Sequence, residues 1–131
     1  MIQNGETWII CGGRNFHDRK VFDQRMLDAV AERCGFPVRI VAGGANGADR
    51  LAFEWGTRLS IEVIEIYADW DVHGRSAGVI RNQKMLREYS PDCVVAFPGG
   101  PGTADMVTRA RKANVAVIEL AREQKEREAG S

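Results

Sequence analysis

Five short apolar runs, each too brief for an ordinary helix, recur along this chain: TWIIC (7–11), VRIVA (38–42), EVIEI (62–66), CVVAF (93–97) and VAVIE (115–119). All are rich in valine and isoleucine, whose branched side chains suit a pleated strand. Between them the apolar period lengthens. Phe22, Met26, Ala29 and Val30 recur at helical spacing, as do Leu51, Ala52, Trp55 and Leu59, and later Thr103, Met106, Val107, Ala110 and Ala113. The segment 76–89 reads as a further helix. Strands that alternate with helices and are apolar on both faces call for a parallel sheet covered on both sides, so the expected fold is a doubly wound α/β domain.

Length permits one such domain. A chain of 131 residues with 44% hydrophobic content lies in the single-domain range. The reading places it at 1–120 and leaves the charged stretch AREQKEREAGS (121–131) as a solvated helix end or frayed tail. Lys+Arg and Asp+Glu both number 18, so no long-range field steers the chain toward polyanions. That weighs against nucleic acid as the first-choice partner. No basic leader precedes a long apolar run, and no stretch approaches the roughly 20 apolar residues of a membrane span, so a cytoplasmic protein without a membrane partner is expected. Cys11, Cys34 and Cys93 are odd in number and far apart, which suits buried free thiols in a reducing compartment. His17 and His73 have no partner at ligand spacing; no metal and no cofactor are expected.

Three of the runs lead straight into glycine turns: IICGGRNF (9–16), VAGGANGAD (41–49) and AFPGGPGTAD (96–105). In an open parallel sheet such turns lie together at the carboxyl edge, where ligands settle near the point at which strand order reverses. A glycine backbone can approach a ligand closely, and the helix that follows presents its positive end, so an anionic guest is the natural occupant. Pro98 and Pro101 restrict the third loop and lower the entropy lost on closing around a guest. Neither of the first two turns is a standard phosphate fingerprint: GGRNF lacks the third glycine of GxGxxG, and GGANGAD lacks the Lys-Ser/Thr of a P-loop.

Several polar residues carry two readings. Asn46 with Asp49 has capping-box spacing; Asp49 either caps the helix after Gly47 or accepts hydrogen bonds from ribose hydroxyls. Thr103 and Asp105 pose the same choice at the next helix. Arg14, inside a glycine turn, has little core to cover and suits a charged ligand group. Arg81, in AGVIRNQKM (77–85), is either a solvated helix residue or a ligand contact. Trp70, in the loop YADWDVHG, either stacks on a base or packs into the core.

VAGGANGADRLA, YADW, AGVIRNQKM and FPGGPGTADMV together resemble the SLOG superfamily, a nucleotide-binding Rossmann-like group that includes the Lonely Guy phosphoribohydrolases and the DNA-processing protein A family. Within it the chain is most similar to the YspA-like, YpsA-related family of small stand-alone domains, over residues 8 to about 118. The resemblance implies a Rossmann-like, mainly parallel five-stranded sheet flanked by helices. For the Lonely Guy branch it implies cleavage of the N-glycosidic bond of nucleoside 5'-monophosphates. Arg81 and Met85 match the arginine helix motif there, and Pro98, Gly99, Gly100, Gly102 and Thr103 match the PGGxGT loop. The glutamate of that motif is replaced by Met106, which can neither act as a base nor stabilise an oxocarbenium-like centre. Asp105 is the neighbouring carboxylate, turned by about 100° on a helix. For the DNA-processing branch, GGANGAD and the Arg81-Asn82 pair are the matching elements, and Arg75, Arg81, Lys84 and Arg87 offer a few phosphate contacts without the aromatic platforms single-strand binders use. The resemblance also implies pairing of two copies through helices flanking the site.

The resulting expectation is a domain that binds a nucleotide or nucleotide-derived small molecule, as a sensor or processing unit. Gly13, Gly44, Ala45 and Gly47 belong to its glycine turns. Phosphate is expected across Gly99, Gly100, Gly102 and Thr103, beside Pro98, with Arg14 and Arg81 neutralising charge and Asn82 next to Arg81. Asp49 or Asp69 would contact sugar hydroxyls, and Trp70 would cover the base. Phosphoribohydrolase-like cleavage, with Arg81 and Asp105 as its candidate catalytic residues, is the alternative; single-stranded DNA binding is the second.

Overall fold

The computed structural model describes residues 2–120. The tail expected at 121–131 lies outside them. The elements follow as β1 (Thr7–Cys11), α1 (Arg19–Glu32), β2 (Arg39–Gly43), α2 (Ala48–Arg58), β3 (Glu62–Ile66), the short α3 (Trp70–His73), α4 (Ala77–Tyr89), β4 (Cys93–Ala96), α5 (Pro101–Lys112) and β5 (Ala116–Glu119). A single turn of 3-10 helix, Gly74–Ser76, joins α3 to α4. The expected strands are all present, with ends moved by a residue in three of them.

All five strands run parallel in the order β3-β2-β1-β4-β5. The fold is thus Rossmann-like α/β. Its two faces follow from strand alternation, because successive side chains point to opposite sides. Trp8, Ile10, Ile40, Ala42 and Val95 face α1 and α2, burying Phe22, Met26, Leu51, Ala52 and Trp55 from those helices. Ile9, Val41 and Val94 face the other way, onto Met85 of α4 and Met106 and Ala110 of α5. The central strand β1 is covered on both sides, which is why TWIIC reads as an unbroken apolar run.

That division places the functional edge. The chain winds outward from β1 through β2 to β3 on one face, then returns through α4 to pair β4 with β1 and continues on the other face. The segments after β1 and β4 therefore lead to helices on opposite faces of the sheet, and the carboxyl edge between those two strands is where open α/β sheets form a binding crevice.

Two sequence expectations are corrected at this level. Cys34 is exposed rather than buried, because it follows α1 in a left-handed turn (φ 59°) that directs it away from the core. Trp70 lies on a helix of four residues, capped by Asp69, and is half exposed at 49% rather than packed into the interior or carried on a loop.

Candidate functional site

The three glycine loops meet one another before they meet anything else. Gly13 donates its N–H to the Pro98 carbonyl (2.9 Å), and its own carbonyl accepts from Phe16 N–H (3.2 Å) and Ala48 N–H (3.1 Å). One residue thereby ties the loop after β1 to the loops after β4 and β2. Such contact leaves no room for side chains. A Cβ on Gly13 would stand 3.0 Å from the Pro98 oxygen, one on Gly12 would strike Ala48 and Phe97, and one on Gly99 would strike Thr103 and the Gly13 nitrogen. Gly47 adds a conformational demand: its φ of +77° is one that L side chains rarely adopt, and a Cβ there would collide with the backbone of Gly13 and Arg14.

Gly100 and Gly102 differ, since a Cβ on either would meet nothing within 4 Å. They open onto a cleft of about 590 Å³ between the ends of β1 and β4. Gly100 is the N-cap of α5 and Pro101 occupies its first turn, where a missing N–H leaves no helix bond unmade. The expected cap by Thr103 does not form; the hydroxyl sits inside the first turn and lines the cleft. Among the described residues, none accepts a hydrogen bond from the amides of Gly99, Gly100, Gly102 or Thr103. The first amides of a helix have no intrahelical partner and carry the positive end of its dipole, so this rim is suited to an anion.

Two guanidinium groups border the same cleft. Arg14 lies over the Trp70 ring, 5.5 Å from its centroid, and Arg81 projects from α4. Among the described residues neither forms an ion pair with a carboxylate. Arg81 is steadied through its neighbour: its Nε donates to Asn82 Oδ1 (3.4 Å), while Asn82 Nδ2 donates to the Gly102 carbonyl (3.1 Å) and to Asp105 Oδ2 (3.0 Å). Asn82 is buried and so couples α4 to the first turn of α5.

Asp49 is the buried carboxylate of the site, 6% exposed, in the first turn of α2. The capping box expected with Asn46 is absent, because Gly47 is the N-cap and makes no side-chain bond. The carboxylate instead accepts from Ala45 N–H (3.3 Å), holding the loop in which that residue lies. Burial pushes the acid up to about 6, against the pull of Arg81 and the Ala45 amide. Glycine at position 43 permits this arrangement, since a Cβ there would strike both Arg81 and the Asp49 carboxylate. Cys11, at the end of β1, also borders the cleft; burial, with the Asp49 charge adding, pushes its thiol up to about 12 and keeps it protonated.

The cleft brings together Gly13, Arg14, Ala45, Asp49, Trp70, Arg81, Asn82 and the loop Pro98, Gly99, Gly100, Gly102 and Thr103. Gly44 borders a smaller adjoining cavity. Gly47, Asp69 and Asp105 line neither. Gly47 serves loop packing, Asp69 accepts from Val72 N–H as the cap of α3, and Asp105 is held by Arg109 (2.9 Å) and Asn82. Asp105 thus positions the Asn82 bridge rather than facing the cleft. The lining residues that sequence reasoning missed include Cys11, Asn15, Phe16 and Gly78 in the cleft and Tyr67 and Ala68 in the adjoining cavity; Tyr67 begins the YADW stretch, and an aromatic side chain just past a strand end was its available signal. Among the described residues, no cluster of His, Cys, Asp and Glu could hold a metal ion, and no helix is long and apolar enough to cross a membrane.

The fold and this edge define a Rossmann-like domain with an anion-suited cleft at its topological switch point. A model of the YAcAr family, described as the YspA, cpYpsA-related SLOG family, matches residues 9–73, a span that contains the first two glycine loops, Asp49 and Trp70. The chain is 35% identical over 117 residues to the Gene 61 protein of Mycobacterium phage D29, with 84% of this chain and 92% of that protein covered. It belongs to the YspA, cpYpsA-related SLOG family. No solved structure matches the chain.

Proposed function

We propose that this domain binds a nucleotide or nucleotide-derived small molecule, with a phosphate on the open amides of α5 and charge neutralised by Arg14 and Arg81. One observation carries the reading: a helix N-terminus with unsatisfied amides faces the same cleft as two guanidinium groups that, among the described residues, no carboxylate pairs with. Phosphate accepts from both kinds of donor, and charge-assisted bonds to it are the strong ones. Asp49 lies where it can accept from a sugar hydroxyl, and the exposed Trp70 ring offers a face to a base. Membership of a group that resemblance ties to nucleotide ligands agrees with this chemistry.

Binding is favoured over hydrolysis by the position of Met106. It stands where the related hydrolases carry glutamate, and here it is buried at 1% exposure on the apolar face of α5 with Ile9, Val41 and Met85. A carboxylate at that place would enter the core rather than reach a substrate. The test is thermal: adenosine and guanosine monophosphate are each expected to raise Tm by several degrees at a hundredfold excess over Kd, where ligand linkage contributes about 2.7 kcal/mol. The free nucleosides should give little shift, and Arg81→Ala should abolish most of the nucleotide effect. Equal shifts from nucleoside and nucleotide, or none from either, would remove the proposal. Chromatography of the same mixtures is expected to show no free base above a buffer control.

A further inference from the structure

Arg81 stands between two acceptors. Its Nε donates to Asn82 Oδ1 (3.4 Å). Its Nη1 lies over the backbone of Gly43, where it and Asp49 Oδ2 both crowd the point that a Cβ would occupy, yet among the described residues no ion pair joins the two groups. A small rotation of the guanidinium would close that gap. The charged and titratable groups that act on the buried Asp49 are Arg81 from α4, Arg14 from the loop after β1 and Glu65 from β3, together with the Ala45 amide, and the Cys11 thiol of β1 feels its charge in turn. Arg81 is the strongest of its cations, and a guanidinium bound to that carboxylate would be lost to an anion in the cleft.

What holds Arg81 off Asp49 is a chain of bonds that begins outside the cleft. Asp105 and Arg109 border neither cavity, and Arg109 Nε donates to both Asp105 oxygens (3.1 and 2.9 Å) along α5. The carboxylate held there and the Gly102 carbonyl are both acceptors, so the Asn82 amide meets them with its NH2 group, at 3.0 and 3.1 Å. Its oxygen then faces Arg81. An amide turned the other way would set oxygen against two acceptors and NH2 against the Arg81 Nε–H, and at 3% exposure of Asn82 that mismatch would be buried. We infer, on the basis of the phosphate-binding reading above, that Asp105 and Arg109 are positioning residues: through the Asn82 amide they hold Arg81 away from Asp49 and present its guanidinium to the anion.

Two NMR measurements test this. One is an amide titration with adenosine monophosphate at pH 8, where the phosphate is mainly a dianion; the other follows the Asp49 carboxyl carbon across pH 4 to 8. In Asp105→Ala the amide is released and Arg81 moves onto Asp49, so affinity is expected to fall about fivefold or more. The Asp49 carboxyl should drop by about one pH unit from about 6, because a paired guanidinium favours its charged form. Asp105→Asn, which keeps an acceptor for Asn82, should retain most of the affinity, and Arg109→Ala should move both readings the same way by less. In an Asp49→Asn background Arg81 has no carboxylate to collapse onto, so adding Asp105→Ala should change affinity by less than about twofold. Unchanged affinity or an unmoved Asp49 titration in Asp105→Ala overturns the inference while the phosphate reading stands. A loss of about fivefold that persists in the Asp49→Asn background also overturns it, because Arg81 would then have been misplaced for another reason. A parent protein that binds no adenosine monophosphate removes both readings together.

Discussion

Asp49→Asn should make this protein more stable, and the gain should depend on pH. The carboxylate is buried beside α2, and that burial raises it from an ordinary 3.8 to about 6. The folded state consequently holds the proton more tightly than the unfolded chain, so the stability associated with this group is complete below 3.8 and is lost as pH rises through about 6. At about 1.4 kcal/mol for each pH unit, the gap corresponds to about 3 kcal/mol at pH 8. Asparagine has the same shape and no charge to desolvate. Its weaker acceptance from the Ala45 N–H offsets about 1 kcal/mol of this, leaving a net gain of about 2 kcal/mol. For a domain of this size that is an increase in Tm of roughly 5–10 °C. The assay is thermal unfolding followed by circular dichroism across pH 4 to 8: the variant should exceed the parent most at pH 8, with the margin fading by about pH 4. A variant less stable than the parent at pH 8, or a margin independent of pH, would refute the reasoning. A gain would mean that the fold tolerates a destabilising carboxylate facing the cleft, as sites that bind ligands commonly do.

The other predictions concern backbone, core and thiols. Gly47→Ala forces a side chain into a positive φ and against the Gly13 carbonyl, and should lower the stability measured by urea titration by about 2–4 kcal/mol. Gly100→Ala meets no protein atom but puts alanine at the N-cap of α5, so stability should fall by about 1 kcal/mol or less while nucleotide affinity falls. Met106→Glu places an uncompensated carboxylate in the apolar cluster of α5 and should cost about 3–5 kcal/mol in the same titration, without conferring release of base from nucleotides. In the native protein at pH 8, a maleimide should label Cys34 rapidly and Cys11 and Cys93 slowly, since burial pushes both of the latter thiols up to about 12.

Periodicity made the architecture legible, because a buried parallel strand and an amphipathic helix leave different apolar spacings that no long-range information is needed to read. The convergence of the glycine loops was legible for the same reason: parallel strands put their carboxyl ends on one edge. The purpose of individual glycines was not. Gly13, Gly47 and Gly99 touch one another's loops, contacts between segments far apart in the chain, whereas Gly100 and Gly102 are the ones left open to the cleft. Carboxylates were the least readable. Asp49, Asp69 and Asp105 all lie near helix starts after strand ends, yet one lines the cleft, one caps α3 and one is held by Arg109 and Asn82. Which of them turns inward depends on a step of one residue along a helix and on the partners it meets there. Tyr67 escaped notice because its place beside Gly44 is set by the pairing of β2 with β3 rather than by any local pattern.

The claim on which the rest depends is that the unsatisfied amides at the start of α5 receive the phosphate. An amide NMR titration with adenosine or guanosine monophosphate, read against the matching nucleoside, tests it residue by residue. The account predicts that the largest nucleotide-specific shifts fall on Gly99, Gly100, Gly102 and Thr103, and that they shrink in Arg81→Ala. Shifts confined to other parts of the chain, or identical for nucleoside and nucleotide, would contradict it.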